Sequence, residues 1–142
     1  MNSMYETILV ATDGSGPANR AVTTALEHAD QFDADVHAIY VVDTDRYAEP
    51  ALGSSELATN QMEEWGSEQL EEVKNRAVSS DVSVITRCCH GKPHIEIINY
   101  ADDIDADLVV LGYQGHSHTV TNQIGSVTNR VVQNVGRQVL VV

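Results

Sequence analysis

The chain has 142 residues, and its 21 acidic and 8 basic side chains give a net charge of −13. This length suits one domain with a substantial core, so we expect a single domain over residues 1–142. A surface this acidic repels the phosphates of nucleic acids and of anionic membranes, so binding to DNA, RNA or membrane is not expected. An acidic excess with Lys74 and Lys92 as its only lysines resembles proteins of salt-rich cytoplasm, where salt screens the self-repulsion.

The chain shows no sign of export or membrane insertion. The segment Met1–Thr7 is too short and polar for a signal peptide, and no run approaches the roughly 20 apolar residues of a membrane span. We therefore expect a soluble, cytoplasmic protein. Cys88 and Cys89 are adjacent in a predicted strand and point to opposite faces, which excludes a disulfide framework.

Short apolar runs alternate with amphipathic patterns along the chain. The runs predict strands over 7–12, 36–42, 82–90, 108–111 and 138–142, and apolar residues at helical spacing predict helices over about 17–32, 56–79, 97–104 and 126–135. Residues 43–55, with Pro50 and Gly53, read as a polar connection. Strands that alternate with helices in this way predict a doubly wound, Rossmann-like α/β fold, with a five-stranded parallel sheet and helices on both faces.

One stretch carries the strongest functional signal. The predicted buried strand Leu108–Leu111 is followed by Gly112 and Gly115, and after nine intervening residues Gly125 and Ser126 open a helix. Glycine allows a backbone to approach a ligand closely, and a serine at a helix start places its hydroxyl beside free N–H groups. Such a helix start is suited to phosphate, so the stretch predicts a nucleotide site.

The spacing Gly112-x2-Gly115-x9-Gly125-Ser126 resembles the nucleotide-binding signature of the universal stress protein family. The start, Ile8–Ser15, and the end, Val139–Val142, also fit, so the resemblance covers nearly the whole chain. It implies the strand order 3-2-1-4-5, which would bring Asp13 beside Gly112 at the point where the order reverses. It also implies a homodimeric stress-response or regulatory module that binds ATP or AMP.

The resemblance implies roles for individual residues. The Asp13 carboxylate would accept hydrogen bonds from the ribose or the adenine, and the backbone of Val41 would meet the adenine edge. The other expected binding residues are Ala11, Thr12, Leu111, Gly112, Gly115, His116, Ser117, His118, Gly125, Ser126, Val127 and Thr128. The alternative is purely structural, with Asp13 holding a turn or capping a helix, the glycines forming turns and Ser126 acting as a helix cap.

The chain departs from the family at the phosphate loop. Many members carry lysine or arginine just after the second glycine, where this chain has His116 and then His118. A neutral imidazole carries no charge, so we expect weaker triphosphate binding at pH 7, and an exposed loop without phosphate contact is the alternative. These histidines and the segment Cys88–His90 lack the ligand spacing of a zinc site. The metal we expect is magnesium or manganese carried with the phosphates.

Motifs of an efficient enzyme are missing from the sequence. There is no G-x-x-x-x-G-K-[ST] loop, no serine-glycine-glycine loop after the first strand and no nucleophile placed with a base. Slow ATP hydrolysis is the most that we expect. Two alternatives stay open: a dimerisation module that binds no nucleotide, and a slow ATP hydrolase. The apolar end Val139–Val142 is expected to pair with a second copy, although Arg137 and Gln138 stand where relatives often carry proline.

Overall fold

The computed structural model describes residues 5–44, 54–115 and 123–142. Its strands are β1 (Thr7–Ala11), β2 (Asp35–Asp43), β3 (Val84–Gly91), β4 (Leu108–Leu111) and β5 (Val139–Val141). Its α-helices within these ranges are α1 (Gly16–Phe32), α2 (Ser54–Ala77), α3 (Pro93–Asp103) and α4 (Ser126–Asn134). No helix in the described ranges is long and apolar enough to cross a bilayer.

The five strands form one sheet in the order β3-β2-β1-β4-β5, and every neighbouring pair is parallel. The predicted doubly wound α/β fold and the strand order implied by the family resemblance are both confirmed. In the centre of the sheet, Ile8 of β1 lies between Val36 of β2 and Leu108 of β4. The chain order reverses between β1 and β4, so the crevice beyond their carboxyl ends is the expected place for a ligand.

Alternating side chains of the central strands build two cores. Ile8 and Val10 point to one face of the sheet, where α1 and α2 cover them, whereas Leu9 points to the other face, towards α3 and α4. All three side chains are fully buried. A strand buried on both faces has no polar side to present, which explains the continuous apolar runs in the sequence.

Several predicted boundaries shift. A 3₁₀ turn at Val78–Ser80 and a left-handed Asp81 delay β3, which begins at Val84 rather than at residue 82. Helix α3 begins earlier than predicted, at Pro93, because proline suits the first helical turn. The predicted connection 43–55 lies largely outside the described residues.

One of the valines of α4 is exposed. Val131 and Val135, one turn apart, are buried, whereas Val132 is 43% exposed. Each helical residue is rotated by about 100° from the one before it, so Val132 points away from the face that Val131 presents to the sheet.

Candidate functional site

A cavity of about 440 Å³ lies at the carboxyl ends of β1 and β4, where the strand order reverses. It is lined by every predicted site residue that the structure describes, namely Ala11, Thr12, Asp13, Val41, Leu111, Gly112, Gly115, Gly125, Ser126, Val127 and Thr128. The three remaining predicted residues, His116, Ser117 and His118, lie outside the described residues. Segments far apart in sequence therefore converge on one pocket.

The turn after β1 is tied together by its own side chains. The Asp13 Oδ1 atom accepts a hydrogen bond from the Ser15 N–H (2.9 Å), and the Thr12 hydroxyl accepts one from the Gly14 N–H (3.2 Å). Ser15, not Asp13, caps α1, because its hydroxyl accepts from the Ala18 N–H (3.3 Å). Asp13 thus holds the turn, which is the purely structural role considered as the alternative above, and it also lines the pocket.

The loop after β4 approaches the β1 side closely, which requires glycine at Gly112 and leaves little room for a side chain at Gly115. A Cβ atom on Gly112 would lie 2.7 Å from the carbonyl carbon of Pro17 and 2.8 Å from the Ala18 nitrogen. These are backbone atoms, which cannot rotate away. A Cβ atom on Gly115 would collide with Oδ2 of Asp13. The two glycines let the loop lie directly against the turn that carries Asp13 and the start of α1.

The start of α4 is held in place by the same loop. The Gly125 N–H donates to the Tyr113 carbonyl (2.8 Å), and the buried Thr128 hydroxyl donates to the Gly112 carbonyl (2.7 Å). The N-cap of the helix is Gly125, not Ser126, and glycine has no side chain with which to cap it. Ser126 is the exposed first residue of α4 and lines the pocket, so its predicted alternative role as a cap is wrong.

The first turn of α4 supplies the pocket with N–H groups. The first hydrogen bond within the helix is donated by the Asn129 N–H to the Gly125 carbonyl oxygen (2.9 Å). The N–H groups of Ser126, Val127 and Thr128 precede Asn129 and therefore have no acceptor within the helix. Together with the helix dipole they form a partly positive surface, which favours an anion.

Charged side chains in the pocket are acidic. Asp13 and Asp43 line it, and the described lining contains neither lysine nor arginine. The sequence from Tyr113 to Gly125 also contains no lysine or arginine. Within the described lining, the N–H groups at the start of α4 are therefore the source of positive potential for a bound anion.

The opposite wall of the pocket was not predicted as part of a site. It includes residues of β2, α2 and α3, among them Tyr40, Met62, Trp65, Pro93 and Ile97. Trp65 is 37% exposed, and its Nε1–H donates to the carbonyl oxygen of Asp13 (3.1 Å). Helical periodicity places Met62 and Trp65 on the apolar face of α2, but periodicity does not reveal which element that face contacts.

The two cysteines lie on β3 and are not among the pocket-lining residues. Burial raises the pKa of both thiols, and nearby carboxylates raise it further, Glu63 at Cys88 and Glu96 at Cys89. Both thiols therefore stay protonated near neutral pH and are poor nucleophiles. Within the described residues, no group of three or more histidine, cysteine, aspartate or glutamate side chains is arranged to hold a metal ion.

Comparison with known proteins identifies the family. The model of the universal stress protein family matches residues 4–142. A universal stress protein of Methanocaldococcus jannaschii is 39% identical over 141 residues, which cover 99% of this chain and 83% of the relative. The solved structure of the universal stress protein UspA from Lactobacillus plantarum is 29% identical and superposes with a TM-score of 0.91, covering 99% of both chains.

Two more distant structures of the same fold contain nucleotides. One is a universal stress protein in complex with cAMP, 24% identical, with a TM-score of 0.68 and coverage of 99% of this chain and 98% of that chain. The other, from Archaeoglobus fulgidus, is in complex with dAMP and is 18% identical, with a TM-score of 0.63 and coverage of 97% and 98%. At identities of 24% and 18%, these two similarities show a shared fold and nothing more. The match of the family model along nearly the whole chain, together with the 39% identical relative, shows that this chain belongs to the universal stress protein family.

Proposed function

We propose that the pocket binds an adenine nucleotide, ATP or AMP, and that the protein acts as a nucleotide-responsive module of the stress response. The observation that carries this proposal is the meeting of the glycine loop after β4, the free N–H groups at the start of α4 and the Asp13 turn in one cavity of about 440 Å³. This volume is in the range of small-molecule sites.

Each part of the pocket suits one part of a nucleotide. The Asp13 carboxylate is a hydrogen-bond acceptor, which suits the ribose hydroxyls, and the backbone at Val41 can pair with the adenine edge. Phosphate would lie against Gly112, Gly115 and the start of α4, where glycines permit close approach and N–H groups point outward. The complexes of the same fold with cAMP and dAMP support a ligand of this class.

The charges of the site bear on the number of phosphates. A triphosphate brings several negative charges towards a pocket that contains Asp13 and Asp43 and no described lysine or arginine. Magnesium or manganese bound to the phosphates would offset this repulsion, because these ions need few protein ligands. We therefore expect AMP to bind without a divalent cation and ATP to bind more tightly when magnesium is present.

The outer edge of β5 supports a second proposal, that two copies pair to form a homodimer. β5 is the last strand of the sheet, and no described strand pairs with its outer edge. Val139 and Val141 are half-buried within one chain, so pairing of two copies would remove further apolar surface from water. A C2 pairing of identical edges closes on itself and leaves no growing end.

Thermal unfolding with and without ligand tests the nucleotide proposal. ATP, AMP, GTP and NAD are added in turn at high salt, with and without magnesium. Ligand at 100 times its dissociation constant stabilises by about 2.7 kcal/mol, which corresponds to a rise in Tm of about 5–10 °C for a domain of this size. We expect this rise with ATP and AMP.

A pair of variants on α4 locates the binding site. Ser126→Asp places a carboxylate at the first helical position, where it suits the helix dipole but repels phosphate. Asn129→Asp makes the same change of charge on the same helix at an exposed residue outside the pocket lining. We expect the nucleotide-induced rise to be lost in Ser126→Asp and kept in Asn129→Asp. If no nucleotide stabilises the unchanged protein, the nucleotide proposal is wrong and the dimerisation module without nucleotide is favoured.

A further inference from the structure

Helix α2 contacts the turn that carries Asp13. The Trp65 Nε1–H donates to the Asp13 carbonyl oxygen (3.1 Å), and a Cβ atom on Gly14 would lie 2.6 Å from Cζ2 of the Trp65 ring. Gln69, one helical turn further on, contacts the same glycine, with its Oε1 atom 2.9 Å from that Cβ position. Trp65 therefore both covers the turn and forms a hydrogen bond with its backbone.

A glycine within α2 allows this close approach. Gly66 is buried, and a Cβ atom there would lie 2.7 Å from Cε1 of the Tyr40 ring on β2. Glycine inside a helix costs about 0.5–1 kcal/mol relative to alanine, so its presence here requires a packing reason. Without a side chain at Gly66, α2 lies directly on the Tyr40 ring, and the adjacent Trp65 reaches the β1 turn.

The turn needs such a support because it contains a glycine in a left-handed conformation. Gly14 has φ +81, and glycine rotates more freely than any other residue. The Asp13 carboxylate is held on one side by the Ser15 N–H (2.9 Å), whereas the carbonyl of the same residue is held by the Trp65 indole. The Asp13–Gly14 peptide is thus held at both ends, by the indole at its carbonyl and by the Thr12 hydroxyl at its N–H (3.2 Å). Loss of the indole hydrogen bond would leave only the second of these restraints and would loosen the direction of the carboxylate.

We propose that Trp65 is a positioning residue for nucleotide binding, which acts through the Asp13 carbonyl to direct the Asp13 carboxylate at the ribose hydroxyls. This inference rests on the proposed function, since it assigns a role to Trp65 in binding the same ligand. It predicts that the indole N–H contributes to affinity only for ligands with ribose hydroxyls.

Trp65 is the only tryptophan of the chain, so one atom can be tested without altering any other residue. Expression in a tryptophan auxotroph supplied with benzothienylalanine replaces the indole N–H by sulfur and keeps the shape of the ring. Calorimetry then measures the affinity for AMP and for 2′,3′-dideoxy-AMP, which lacks both ribose hydroxyls. Trp65→Phe is the genetic counterpart, and Gln69→Leu is the matched control, because Gln69 contacts the same turn without lining the pocket.

The expected result is a selective loss of affinity. The sulfur analogue should bind AMP about three- to tenfold more weakly, the range expected for one hydrogen bond, and should bind dideoxy-AMP as the unchanged protein does. Gln69→Leu should leave both affinities within about twofold. An equal loss for both ligands would overturn the inference, since Trp65 would then act only as a wall of the pocket, and so would unchanged AMP affinity. If the unchanged protein binds no AMP, the proposed function itself fails and this inference fails with it.

Discussion

His37 on β2 has a half-buried, titratable ring and does not line the pocket. Its Nδ1 atom lies 2.8 Å from the Tyr100 hydroxyl on α3, and the Arg87 guanidinium lies over the Tyr100 ring at 5.0 Å from the centroid. Burial lowers the pKa of His37, and the nearby Asp35 offsets part of this effect. The folded protein thus disfavours the charged imidazole relative to the unfolded chain.

This lowered pKa predicts an acid-sensitive contribution to stability. Because the unfolded chain takes up the proton first, stability from this group is complete above the ordinary histidine pKa of about 6.5 and is lost as the pH falls below it. His37→Asn can keep a hydrogen bond with the Tyr100 hydroxyl but does not titrate. We expect the unchanged protein to lose more stability than His37→Asn between about pH 7.5 and pH 5 in urea unfolding. The difference between the two proteins in free energy of unfolding cancels the titration of the many carboxylates, which both share. A difference that stays constant over this pH range would contradict the role of His37.

At the scale of elements, the C-terminal strand has two different edges. The Val142 N–H donates to the Leu111 carbonyl (2.9 Å), and the Gln138 carbonyl accepts from the Val109 N–H (2.9 Å), so these residues direct their backbone groups at β4. Because backbone groups alternate along a strand, Val139 and Val141 direct theirs away from the sheet. Those outward groups are the ones that a second copy would use.

A proline at the outward position tests the proposed dimer. Val141→Pro removes an N–H that does not serve β4, and proline is tolerated on an edge strand where its nitrogen faces outward. We expect sedimentation velocity to show a shift from dimer towards the 15.5 kDa of one chain, with little change in circular dichroism. Val141→Thr keeps both the N–H and the branched side chain and should remain dimeric. A proline variant that still sediments as a dimer would exclude pairing through this edge.

The whole molecule carries a net charge of −13. Repulsion among its acidic side chains should make its stability depend on salt. The screening length falls from about 10 Å at 0.1 M salt to about 3 Å at 1 M, so added KCl weakens repulsion across the surface. We expect the Tm to rise between about 0.1 M and 2 M KCl at neutral pH. The rise should be much smaller near pH 5, close to the sequence pI of about 4.5, where little net charge remains to be screened. A Tm that is highest at low salt would contradict this prediction.

The sequence by itself determined the element order, the parallel sheet and most of one side of the pocket. Ile8, Leu9 and Val10 form a continuous apolar run because a central parallel strand is buried on both faces, and such a run is visible in the sequence. The spacing of the glycines at 112, 115 and 125 was equally visible in the sequence. At Gly112 its physical reason is the backbone of Pro17 and Ala18, which leaves no room for a side chain. The meeting of these glycines with Asp13 needed the strand order, which only the family resemblance implied.

The tertiary structure alone decided the other side of the pocket. Periodicity shows that Trp65 lies on the apolar face of α2, but not that its indole meets the Asp13 carbonyl, because such a contact depends on how closely the helix packs on the sheet. For the same reason, the sequence does not predict the contact between Gly66 and the Tyr40 ring. In the sequence, Gly66 is only an unfavourable residue inside a helix. Local patterns record what each segment buries, whereas contacts between distant segments depend on distances that appear only once the helices have packed on the sheet.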